Sequence, residues 1–104
     1  MKTEVAILHD EYPARIRDHV ASKLDSLIRF FDGTVSVRAV LDRQHDEHRV
    51  ELLASVRRGV VLVVDARREN IAAALDEAVS RMGRALRKHK EKMKSGGRRK
   101  RIRA

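Results

Sequence analysis

Along this 104-residue chain the spacing of apolar residues switches from the period of a helix to that of a strand and back, and few folds accommodate that order. Ile16, Val20, Leu24, Leu27, Ile28 and Phe31 recur at 4, 4, 3, 1 and 3, one face of a helix. Tyr12-Pro13 opens it, Pro being tolerated at the first helical position, and Asp32-Gly33 stops it. Val35, Val37, Ala39 and Leu41 then alternate with Ser36, Arg38, Val40 and Asp42, a strand with one buried face. After a polar turn from Arg43 to His48, Val50, Leu52, Ala54 and Val56 alternate with Glu51, Leu53, Ser55 and Arg57. Arg58-Gly59 separates them from the apolar run Val60 to Val64, so two successive hairpins predict an antiparallel meander. The helical period returns near Glu69 or Asn70, with Ile71, Leu75, Ala78, Met82, Leu86, His89 and Met93 in one stripe and the pattern running to about Lys94. Thr3 to Leu8 supplies a short edge strand.

The order βαβββα predicts an α+β two-layer sandwich, a four-stranded sheet with two helices packed on one face. A chain this short supports one modest core, expected over residues 1–95. The other face of the sheet is left open, with Val40, Leu53, Val61 and Val63 on it. Scattered apolar surface residues are ordinary, and a weak homodimer through that face is the competing reading. Ser95-Gly96-Gly97 ends the last helix. Residues 96–104 are expected to form a disordered basic tail, because five bases and one Ile from Arg98 to Ala104 bury too little apolar surface to offset the entropy of ordering.

Charge narrows the function. Twelve of the 24 Lys and Arg lie from Arg81 to Ala104, where the only acid is Glu91; the first 80 residues hold 12 bases and 14 acids. Concentrating like charge costs self-repulsion, which a polyanion relieves, and nucleic acid is the first candidate. Arg81, Arg84 and Lys88 fall at i, i+3 and i+7 along one edge of the last helix, and Arg87, Lys90, Lys92 and Lys94 carry the positive surface round its exposed side. The plainer alternative is a solvated helix face, with Glu77 and Arg81 as an i, i+4 pair and cations at the negative end of the helix. An imbalance of 12 to 1 exceeds what that dipole requires. Only Tyr12, Phe30 and Phe31 are aromatic, too few to stack successive bases, so contacts are expected to follow phosphates and shape.

At this point residues carry a resemblance. Ala73-Ala74-Leu75-Asp76, followed by Arg81-Met82-Gly83-Arg84-Ala85-Leu86-Arg87-Lys88-His89-Lys90-Glu91-Lys92, resembles the C-terminal helix of the ribosome hibernation promoting factor family, also called ribosome-associated inhibitors or ribosomal subunit interface proteins. Ile16 to Val20 with Lys23, Leu24 and Leu27 is similar to the family's first helix, and Phe31-Asp32 to its end. The likeness covers about residues 12 to 94 and, as the chain stands, is to the short form. It implies a fold similar to double-stranded RNA-binding domains, bound to the small ribosomal subunit in the channel of messenger and transfer RNA, silencing idle ribosomes in stress or stationary phase. Carried over by position, the rRNA-facing residues would be Arg17, Lys23, Arg81, Arg84, Lys88, Lys90 and Lys92, to which the charge argument adds Arg87. Pro13 stands where the family often has a Thr cap, and Glu69-Asn70-Ile71 where it has an Asp-Met-Tyr group, so any contact of that ring is missing.

Two further functions compete: a general structured-RNA binder or RNA chaperone on the same surface, and a small dimeric adaptor using the open sheet face. An enzyme is not expected. His45-Asp46-Glu47-His48 superficially offers metal ligands but reads as a solvated turn, and no Gly-rich phosphate loop, nucleophile elbow or HExxH pattern occurs. The reading therefore includes no metal, cofactor or small-molecule substrate. No run of 18 apolar residues and no secretory signal pattern occurs, so no membrane partner and a cytoplasmic location are expected.

Overall fold

The computed structural model describes residues 1–8 and 12–94, and the helical backbone beyond them to residue 103. Its elements are β1 (Lys2–Ile7), α1 (Ala14–Asp25) with a 3-10 turn (Ser26–Phe30), β2 (Thr34–Gln44), β3 (Glu47–Val56), a short 3-10 link (Arg57–Gly59), β4 (Val60–Arg68) and α2 (Ile71–Arg103). The sheet order is β1-β2-β3-β4, with β1 parallel to β2 and the remaining pairs antiparallel. Both helices cover one face, α1 over β1 and β2 and α2 over β3 and β4. The βαβββα sandwich is therefore the observed fold. The backbone of α2 runs on through Ser95-Gly96-Gly97, which the sequence pattern took as its end, to Arg103; the expected tail, 96–104, lies outside the residues whose side chains are described.

The core is the two-residue strand period meeting the two helical stripes. Val37, Ala39 and Leu41 of β2 and Val50, Leu52 and Ala54 of β3 are fully buried against Val20 and Leu24 of α1, Leu27, and Ala74, Ala78, Met82 and Leu86 of α2. Burying each large side chain contributes about 1.5–3 kcal/mol, so the interdigitated layer supplies most of the drive to fold.

Local chemistry moves several boundaries. Pro13 lies just outside α1, not at its first helical position, because its ψ of 158° is extended; its carbonyl accepts from Ile16 N–H at 2.9 Å. At the other end the Ser26 hydroxyl donates to the Lys23 carbonyl at 2.7 Å, and the chain tightens into the 3-10 turn. Three residues per turn shift the phase of the stripe, so Leu27 stays buried while Ile28 turns out to 39% exposure. In β2, Thr34 pairs with Val56 but Ser36 pairs with Ser55, leaving Val35 as the extra residue of a bulge. Val35 is thus 57% exposed instead of inward-facing, and buried Thr34 takes its place, its hydroxyl donating to the Phe31 carbonyl at 2.8 Å. The polar stretch after Leu41 is mostly strand: pairing continues to Gln44 and Glu47, leaving His45-Asp46 as the turn, with His45 at φ 57°. Between β3 and β4, Arg58 and Gly59 both have positive φ, 72° and 75°, the second at little cost to Gly.

On the open face Val61 and Val63 are 51% and 56% exposed, while Val40 and Leu53 are half-buried. Ion pairs flank this group, Arg38 with Glu4 at 3.7 Å and Arg49 with both Glu51 at 3.3 Å and Asp65 at 3.2 Å. Glu51 and Asp65 are direct cross-strand partners, a like-charge pairing that Arg49 offsets.

Candidate nucleic-acid interface

The interface is built on α2. Asn70 starts the helix, its Oδ1 accepting from the N–H groups of Ala72 at 2.8 Å and Ala73 at 3.3 Å. The stripe Leu75, Ala78, Met82 and Leu86 is buried against the sheet and fixes the rotation of the helix, so the charged residues between face outward. At about 100° per residue, Arg84, Lys88 and Lys92 fall on the same side of that stripe as Arg81, and Arg87, Lys90 and Lys94 on the other. Arg84 and Arg87, three residues apart, lie about 60° from each other round the axis, so the two flanks adjoin on the exposed side.

The expected contact residues are not equivalent. Arg81 is tied into the fold: Nη1 donates to the Asp65 carbonyl of β4 at 2.7 Å and Nη2 to Glu77 Oε1 at 2.7 Å. Glu77 also accepts from Arg68 Nε at 2.7 Å. The hydrogen bond from Arg68 above all, and the charges of Arg68, Arg81 and Arg84, hold the Glu77 carboxyl below the usual carboxylate range, with partial desolvation opposing. The same hydrogen bond raises Arg68. The i, i+4 pair is therefore real, and Arg81 presents only part of its guanidinium to solvent. Arg17 has a parallel role, its Nη1 donating to the Val5 carbonyl of β1 at 3.0 Å. Each outer strand of the sheet thus has a carbonyl satisfied by a helix arginine, which blunts an edge otherwise open to another chain. Lys23 pairs with Asp76 at 3.7 Å across the two helices, both side chains well exposed.

Arg84, Lys88 and Lys92 are exposed and, among the described residues, form no ion pair. Arg87 lies over the Phe30 ring, its guanidinium carbon 5.5 Å from the centroid, and Lys90 is half-buried. Arg29, absent from the sequence-based set, lies over the same ring at 5.2 Å. Its only sequence signal is its place beside the Phe30-Phe31 pair at the end of a helical stripe, and periodicity does not show which ring turns toward α2.

The remaining candidates have local roles. His48 Nδ1 lies 2.6 Å from the Tyr12 hydroxyl, the two rings tilted at 5.6 Å. His89 packs edge-on against Phe31 at 5.6 Å with its Nε2 buried. No group of three or more His, Asp or Glu among the described residues could hold a metal ion, and none of their helices is long and apolar enough to cross a membrane.

Comparison with known proteins places this geometry. Residues 5–94 match the family described as sigma 54 modulation protein / S30EA ribosomal protein. A ribosome hibernation promoting factor of Pseudomonas putida is 30% identical over 95 residues, 91% of this chain and 92% of that protein. Another, of Azotobacter vinelandii, is 34% identical over 77 residues, 74% of this chain and 71% of its own. The crystal structure of the Thermus thermophilus Protein Y N-terminal domain superposes with a TM-score of 0.75 at 27% identity, covering 86% of this chain and 99% of that one. A ribosomal subunit interface protein of Coxiella burnetii shares the fold at a TM-score of 0.78 and 13% identity, covering 88% and 99%. The match over nearly all of the sandwich, together with the basic helix anticipated from the sequence, means that this chain belongs to the sigma 54 modulation protein / S30EA ribosomal protein family.

Proposed function

We propose that this protein is a cytoplasmic, non-enzymatic ribosome hibernation factor, which binds rRNA of the small ribosomal subunit in the channel of messenger and transfer RNA and silences idle ribosomes by occupancy. The observation that carries this reading is the exposed, unpaired row Arg84, Lys88 and Lys92, on a helix whose opposite face is locked into the core. Arg offers a planar donor fork to phosphate oxygens and Lys a mobile point charge, so such a row follows a folded RNA backbone without reading bases. The names of the relatives, ribosome hibernation promoting factors, favour the ribosome over RNA in general. Arg87 and Lys90 add to this surface from the other flank, and Lys23 from α1. Arg17 and Arg81 contribute through whatever part of the guanidinium their backbone carbonyl bonds leave open.

The test is cosedimentation with vacant small subunits across a salt series. With about six to ten phosphates neutralised, affinity falls by about three to five orders of magnitude between about 50 and about 200 mM salt. Binding insensitive to salt, or none at low salt, overturns the reading. A cryo-EM map of the complex then locates α2.

A further inference from the structure

We propose that the cleft between α2 and the 3-10 turn is a second phosphate-binding site, on the flank of α2 opposite Arg84 and Lys88, so that the helix grips two stretches of RNA backbone at once. The identity of the ligand rests on the RNA-binding reading above; the site itself rests on geometry.

Arg29, Phe30, Arg87, Lys90, Glu91 and Lys94 line this cleft, whose volume is about 260 Å³. Four cations against one carboxylate leave a net charge of about +3 in its lining. None of these five charged groups forms an ion pair among the described residues, whereas Lys23, Arg38, Arg49, Arg68 and Arg81 all do. Like charges held this close repel one another, and a bound anion relieves them.

The arginines are also held in place. The guanidinium carbons of Arg29 and Arg87 lie 5.2 and 5.5 Å from the centroid of Phe30. The ring is itself fixed against α2 at Gly83, where a Cβ would lie 3.1 Å from Phe30 Cε2, closer than ordinary van der Waals contact. Anchored guanidinium groups lose less freedom on binding than free ones. Because Phe30 is half-buried and already carries two guanidinium groups, it acts as a positioning residue for cations, not as a platform for a stacked base.

The site is read from the side-chain Nε–H resonances of Arg29 and Arg87 in the full chain, titrated with inorganic phosphate and with a short RNA duplex. Saturable shifts of both resonances with the duplex are expected. Phe30→Leu should weaken them several-fold at a temperature where its fold is intact by circular dichroism, and Phe30→Tyr restore them; undiminished shifts in folded Phe30→Leu would leave the ring no part in holding the guanidinium groups. Alongside, Arg29→Gln with Lys94→Gln should lower the salt slope of small-subunit binding by about 1 to 2 and add independently to Arg84→Gln with Lys88→Gln, since the two sets face different phosphates. Resonances that do not respond to the duplex overturn the site, and shifts with inorganic phosphate alone overturn the two-backbone grip. If the wild type ignores ribosomes while the duplex still shifts Arg29 and Arg87, the hibernation reading falls and the site stands.

Discussion

The two halves of α2 use charge for opposite ends. From residue 70 to 81 nearly every polar group serves the fold: Asn70 caps the helix, Asp76 meets Lys23, and Glu77 gathers Arg68 and Arg81. From 84 onward the helix keeps its apolar stripe through Leu86, but Arg84, Lys88 and Lys92 have no ion partner among the described residues. Acid placement makes the difference, since Glu91 is the only acid beyond Glu77. A cation next to a carboxylate is a structural part; one without such a neighbour is left to meet an external anion. Counting basic residues along the helix conceals this division.

The sharpest way to break the comparison is to reverse charge in the distal half. Arg84→Glu with Lys88→Glu should weaken small-subunit binding by about three orders of magnitude, roughly 4 kcal/mol, with the melting temperature unchanged. Retained binding in a filter or sedimentation assay would remove the distal row from the interface. Next in size, Leu86→Ala tests whether that half is anchored as firmly as it looks: fully buried Leu86 should cost about 2–5 kcal/mol in denaturant unfolding. Smaller again is a contrast between neighbours, in which Arg81→Gln lowers the melting temperature by releasing the Asp65 carbonyl and Arg84→Gln, whose charge reaches Glu77 only through space, lowers it far less. Equal effects would erase the boundary between the halves.

The smallest effect is that of pH. With its pKa held below the usual carboxylate value, Glu77 stabilises the folded state at neutral pH, and that contribution fades as pH falls through the ordinary value and then the folded one. Glu77→Gln should therefore melt slightly below wild type at pH 7, and the gap should begin to narrow near about pH 4 and vanish in stronger acid. A gap that persists in acid would show that the Arg68 and Arg81 bonds do not depend on the carboxylate.

Legibility in the sequence followed the range of the interaction. The stripe from Leu75 to Leu86 and the alternation from Val50 to Val56 could be read directly because each depends only on near neighbours in the chain and one buried face. Val35 could not, because the bulge is a property of the pairing with β3 and not of β2 itself. Ile28 was misplaced for a related reason: a hydroxyl bond from Ser26 ends the 3.6-residue period just before it.

The amino-acid order alone determined the βαβββα architecture, the buried face along most of each element and the concentration of positive charge on the last helix. Those follow from short-range periodicity and from composition, which survive any detail of packing. Only the tertiary structure decided how the cations are committed beyond the Glu77–Arg81 pair, because Arg81 also reaches the Asp65 backbone carbonyl of β4 and Arg87 the Phe30 ring of the 3-10 turn, 16 and 57 positions away. Ion pairs and ring contacts act over a few ångströms of space, and the sheet and helix packing set that distance.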